Sequence, residues 1–84
     1  VYCILAAGTG KYGNFHDMES SDISQQMQVN FVSPLELIHN CLREFLKNNT
    51  KIIYFSSIAS DMPIKNLSVY GASKRSMNYA LKIL

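Results

Sequence analysis

Tyr70-Gly-Ala-Ser-Lys74 sets a phenol and an ammonium four residues apart, and Ser57 stands thirteen residues before the tyrosine. Side chains four apart on a helix share a face. Both polar ends can therefore look into one cavity. A cation beside a phenol favours the phenolate and lowers its pKa from a reference near ~10. A phenol so placed can give or take a proton near neutral pH. A serine hydroxyl held opposite can hydrogen-bond the oxygen that gains or loses that proton.

Asn30 is a further polar residue with chemical meaning. It lies amid helical hydrophobics, and Pro34 follows four residues later. Proline has no N–H to give. The backbone carbonyl of Asn30 thus loses its helical partner and needs water or a side chain instead.

These residues must be positioned by the elements around them. Val1 to Ala6 is a short apolar run that ends at Ala7-Gly8, and it reads as a strand buried on both faces of a parallel sheet. Gly8, Gly10 and Gly13 punctuate a loop, with Ser21 or Asp22 expected to cap the next helix. From Asp22 to about Lys47 the pattern is helical, with Ile23, Met27, Phe31, Leu35, Ile38, Leu42 and Phe45 in one stripe. Val29, Val32, Leu37 and Cys41 add a second apolar flank, so this helix is expected to be covered on two sides. Asn48-Asn49 ends it, Lys51 to Ser57 is the second strand, and a last helix begins near Tyr70. The order strand, helix, strand, helix predicts an α/β fold with parallel strands joined by a right-handed crossover. Ligands of such sheets bind beyond the carboxyl ends of the strands. Ala7-Gly8, Ser56-Ser57 and Tyr70 all come to that rim.

Composition excludes several classes. The 84 residues carry a net charge of +2 with acids and bases mixed, and no basic stripe argues for nucleic acid. No span of 18 apolar residues predicts a membrane helix. Cys3 and Cys41 form no disulfide framework or metal spacing and fit a reducing, cytoplasmic compartment. His16 and His39 have no zinc partners by spacing, so no metal is expected. The chain opens at Val1 inside an apolar run and stops at Leu84 inside a helical pattern. It is expected to be the central part, residues 1–84, of one larger domain.

Ile52-Ile-Tyr-Phe-Ser-Ser57, the Tyr70…Lys74 pair and Asn30 together resemble the short-chain dehydrogenase/reductase family, in its single-domain subclass. The resemblance implies a Rossmann-like doubly wound parallel sheet, of which a β-α-β-α portion is present. It implies NAD or NADP as cofactor and a small carbonyl or alcohol substrate. It assigns Tyr70 as general acid/base, Lys74 as the group that tunes it and holds the nicotinamide ribose, and Ser57 as the substrate-orienting hydroxyl. The family's thirteen-residue separation selects Ser57 over Ser56. In the family, the carbonyl of the asparagine matching Asn30 holds a water in a proton relay to the lysine. Ala7 and Gly8 resemble the end of an Asn-Asn-Ala-Gly motif under the cofactor's adenosine half, but Leu5-Ala-Ala-Gly8 lacks both asparagines. The glycine-rich pyrophosphate loop is not in this stretch, so the isolated piece is expected to be inactive. Relatives pair through the two long helices, which implies a homodimer or homotetramer through residues 22–47 and 70–84. Leu-Ala-Ala with Tyr-Gly-x-Ser-Lys is also similar to the two-domain epimerases and dehydratases of nucleotide sugars. Their serine-to-tyrosine separation is usually longer. A non-catalytic binding protein of the same fold is the other alternative.

Overall fold

The computed structural model describes residues 1–84. Strands β1 (Tyr2–Leu5) and β2 (Lys51–Tyr54) pair in parallel, Tyr2 opposite Lys51 and Leu5 opposite Tyr54. The ladder extends at both ends: Lys51 N–H donates to the Val1 carbonyl at 2.9 Å, and Phe55 N–H to the Leu5 carbonyl at 3.2 Å. Between the strands, after a 3₁₀ turn at Phe15–Asp17, runs one continuous helix in three parts. These are α1 (Ser20–Met27), a π turn (Gln28–Val32) and α2 (Ser33–Lys47). A second 3₁₀ turn (Ile58–Ser60) and α3 (Ser68–Ile83) complete the chain. The order is the predicted one, a β-α-β-α portion of a Rossmann-like sheet.

The first helix starts earlier than expected. Glu19, not Ser21 or Asp22, is its N-cap, because Glu19 and Asp22 form a reciprocal capping box in which Asp22 Oδ2 accepts the Glu19 N–H at 3.3 Å. Eight residues on, the helix widens. Pro34 cannot offer an N–H to the carbonyl four residues behind it. The backbone answers with five-residue spacing, and Ser33 N–H donates to the Gln28 carbonyl. The C-terminal end follows the sequence: Asn49 takes a left-handed φ of 54°, and Thr50 N–H reaches back to the Phe45 carbonyl at 2.8 Å.

Leu5 from β1, Ile38 from α2 and Met77 from α3 make the buried apolar cluster, with Phe31, Leu35, Phe45 and Ile52 packed around it. Both long helices thus cover the same face of the sheet. Within residues 1–84 the other face of the two strands is uncovered. Tyr2, Ile4 and Ile53 point away from the cluster and are exposed, because side chains alternate along a strand and no helix lies on that side. On the long helix, Leu37 and Leu42 are likewise exposed within this chain.

Candidate active site

Both strands deliver their carboxyl ends to one rim. There a cavity of about 340 Å³ is lined by Gly8, Thr9 and Gly10 after β1, Phe55 and Ser56 after β2, and Tyr70 and Lys74 from the first turns of α3, with Ala6 at its edge. The structure thereby brings together Tyr70, Lys74 and Gly8. Ala7 turns instead to an apolar groove with Val29, Pro34, Leu37 and Tyr54.

Lys74 is only 5% exposed, and it belongs to none of the ion pairs, which join Lys11 to Asp22, His16 to Asp17 and Arg75 to Asp61. Its Nζ donates one hydrogen bond, to the Phe55 carbonyl at 3.2 Å. The ammonium also faces two aromatic rings, 5.0 Å from the Tyr54 centroid and 5.9 Å from that of Tyr70. An ammonium has three donors, so two remain to meet a ligand in the cavity. A β-carbon placed on Gly8 would lie 3.1 Å from Nζ, which measures how closely that backbone approaches it.

Asn30 is 1% exposed and works through its carboxamide. Oδ1 accepts the Thr9 N–H at 2.9 Å, and Nδ2 donates to the Thr9 carbonyl at 2.7 Å and to Ser73 Oγ at 3.0 Å. Ser73, fully buried, donates in turn to the Tyr70 carbonyl at 2.7 Å. One side chain therefore ties the loop after β1 to the first turn of α3. Sequence reasoning pointed to the carbonyl of this residue, and its amide was missed.

Ser57 caps the second 3₁₀ turn: its Oγ accepts the Ala59 N–H at 3.2 Å. It does not line the Tyr70–Lys74 cavity, whereas Ser56 does. The hydrogen bonds distinguish the two. Ser56 Oγ accepts from Asn78 Nδ2 at 2.8 Å and donates to Ser60 Oγ at 3.3 Å, so its proton is engaged. Ser57 Oγ only accepts. Arg75 adds a bond to the Ser60 carbonyl at 2.9 Å, which fixes this turn against α3. Gly71 permits the close packing, since a β-carbon there would stand 2.7 Å from the Ala59 carbonyl oxygen.

Four residues of the site were missed. Ser73 and Asn78 lie three and eight residues after Tyr70, and Gln26 lies four before Asn30, so helical spacing could have found them. Tyr54 could have been read from alternation, since it shares a strand face with Ile52. Its phenol is pushed above the ordinary tyrosine value, first by burial and then by the neighbouring Tyr70.

The short chain dehydrogenase family profile matches residues 3–84. A search of curated proteins finds no match. Among solved structures, the chain is similar to a bulky-bulky ketone specific alcohol dehydrogenase from Comamonas testosteroni (23% identity, TM-score 0.88, covering 99% of this chain and 34% of that one). It is similar to a gluconate 5-dehydrogenase from Burkholderia cenocepacia J2315, in complex with NADP and tartrate (21% identity, TM-score 0.89, 96% and 32%). It is also similar to a metagenomic short-chain oxidoreductase in complex with NADP (25% identity, TM-score 0.88, 98% and 38%). The chain spans about a third of the length of these structures. With the profile matching nearly every residue, the chain belongs to the short chain dehydrogenase family.

Proposed function

We propose that this chain carries the proton-transfer and cofactor-anchoring part of an NAD- or NADP-dependent oxidoreductase acting on a small carbonyl or alcohol substrate. The observation that supports it most is the nearly buried Lys74 ammonium, with one protein acceptor and no carboxylate, in a cavity shared with Tyr70. A buried charge so sparsely satisfied calls for further acceptors. The ribose hydroxyls of a nicotinamide cofactor would supply them, and bound NADP in two of the similar structures supports the reading. When bound, the nicotinamide supplies or takes up the hydride.

This chain's own residues handle the proton. In a reduction Tyr70 gives its hydroxyl proton to the substrate oxygen, and in an oxidation it takes one back. Ser57, whose hydroxyl proton is uncommitted, donates to that oxygen and orients it. Lys74 holds the ribose. Asn30 belongs to the relay that returns a proton to Tyr70, through the carbonyl that Pro34 leaves without its usual donor. Gly8 gives the cofactor close backbone approach, with Ala7 beside it. Free thiols at Cys3 and Cys41 fit a reducing, cytoplasmic setting. Exposed Leu46, Tyr79 and Ile83 on the long helices support assembly as a homodimer or homotetramer.

The test is Tyr70→Phe in the full-length protein. Turnover is expected to fall at least about a thousandfold while cofactor affinity changes little. Retained turnover would remove the assignment.

A further inference from the structure

Gln26 is 2% exposed in the middle of a helix that could have placed an apolar side chain there. A buried amide is tolerated only when its hydrogen bonds are made. Its Oε1 accepts the Lys11 N–H at 3.0 Å, and its Nε2 donates to the Asp22 carbonyl at 3.1 Å, with Met18 Sδ at 3.8 Å. Asn30, one turn further on, holds both backbone groups of Thr9. Two amides on one helix thus grip two loop residues separated by one.

Gln26 at the end of α1 and Asn30 in the π turn act as two rungs, against Lys11 and Thr9. The residue between the rungs is Gly10. A β-carbon there would stand 2.7 Å from Tyr70 Cδ1 and 3.2 Å from Cγ, so the loop backbone lies directly on the phenol ring. Where the rungs set the loop, the loop sets the ring.

We infer that Gln26 is a positioning residue for Tyr70, acting through the Thr9–Lys11 segment with Gly10 as the contact. The inference rests on the role proposed for Tyr70 and adds to it a group that touches neither substrate nor cofactor. A tyrosine must present its hydroxyl to the reacting oxygen within a fraction of an ångström, and a small displacement lowers the rate strongly. An unpinned glycine loop would let the ring swing toward it.

The experiment uses the full-length protein and three variants beside Tyr70→Phe. Gln26→Met keeps length and volume but removes the acceptor. The Lys11 amide is expected to exchange with solvent at least about fivefold faster. With the nicotinamide cofactor, kcat should fall about tenfold or more, while the cofactor Kd stays within about twofold. Gln26→Glu keeps an acceptor for Lys11 and should restore kcat to within about threefold of the parent. Gly10→Ala pushes the ring away from the loop and should lower kcat by a similar factor without touching Gln26. Should Gln26→Met fail to fold, the Gly10→Ala and Gln26→Glu results decide. Unchanged Lys11 exchange or unchanged kcat in Gln26→Met overturns the inference, as does parental kcat in Gly10→Ala. Turnover surviving Tyr70→Phe ends the underlying reading. Turnover lost in Tyr70→Phe but intact in Gln26→Met ends only the clamp.

Discussion

Tyr54 shows how one side chain can serve the site from behind. Its ring faces the Lys74 ammonium, and its hydroxyl is buried with no protein partner. A buried hydroxyl without a partner is the usual place for an ordered water. Because burial and Tyr70 raise its pKa, the folded protein keeps this proton to higher pH than the unfolded chain does. The associated stability is fully present below about pH 10 and is lost as pH rises through the raised value. Tyr54→Phe is therefore expected to flatten the alkaline loss of stability, read from urea midpoints between about pH 9 and 11. An equally steep loss in the variant would contradict the assignment. The serines make a second prediction at this scale. Ser57→Ala should lower kcat about a hundredfold. Ser56→Ala should leave kcat nearly intact and cost about 1 kcal/mol of stability through its bonds to Asn78 and Ser60. The reverse order of kcat effects would transfer the role to Ser56.

At the scale of elements, α3 packs closely on the Ile58–Ser60 turn because its fourth residue is Gly71. The atom that a β-carbon would meet is a backbone carbonyl oxygen, which cannot rotate away. Gly71→Ala should thus lever α3 off the Ile58–Ser60 turn, cost about 1–3 kcal/mol and lower kcat. A thermal melt together with kinetics checks this, and a neutral melting temperature would argue that the turn yields. Much of this architecture was legible. The 3.6-residue period of Leu35, Ile38 and Phe45, the apolar run before Gly8 and the Asn48-Asn49 stop all carry information within a few residues. What the sequence hid depends on distant partners. The capping box at Glu19 was overlooked because serine competes as a cap. The π turn follows from Pro34, but an i+5 alternative cannot be told from a kink without the backbone. The gathering of Tyr70 and Lys74 was readable from their spacing. The separation of Ala7 from Gly8 into two cavities was not, because it depends on how the loop folds back onto Asn30.

The whole molecule measures 46 × 24 × 18 Å, and its long dimension matches the helix from Ser20 to Lys47, roughly 42 Å at 1.5 Å per residue. Around that rod the chain leaves apolar side chains outside, among them Leu46, Tyr79 and Ile83 at exposures of 73%, 68% and 68%. The homodimer or homotetramer proposed above would bury part of this surface. The full-length protein is expected to run as a dimer or tetramer in light scattering. Leu46→Arg with Tyr79→Arg should shift it toward monomer, and an unchanged mass would place the interface elsewhere. The widened turn at Gln28–Val32 has its own consequence along the rod. Each helical residue rotates the chain by about 100°. Twelve uninterrupted steps would set Gln26 and Ile38 about 120° apart in azimuth. A π turn swallows one step, which brings them to within about 20° of a common bearing. A single surplus residue thus keeps the loop-gripping half and the sheet-covering half of one rod in phase, so that both look inward.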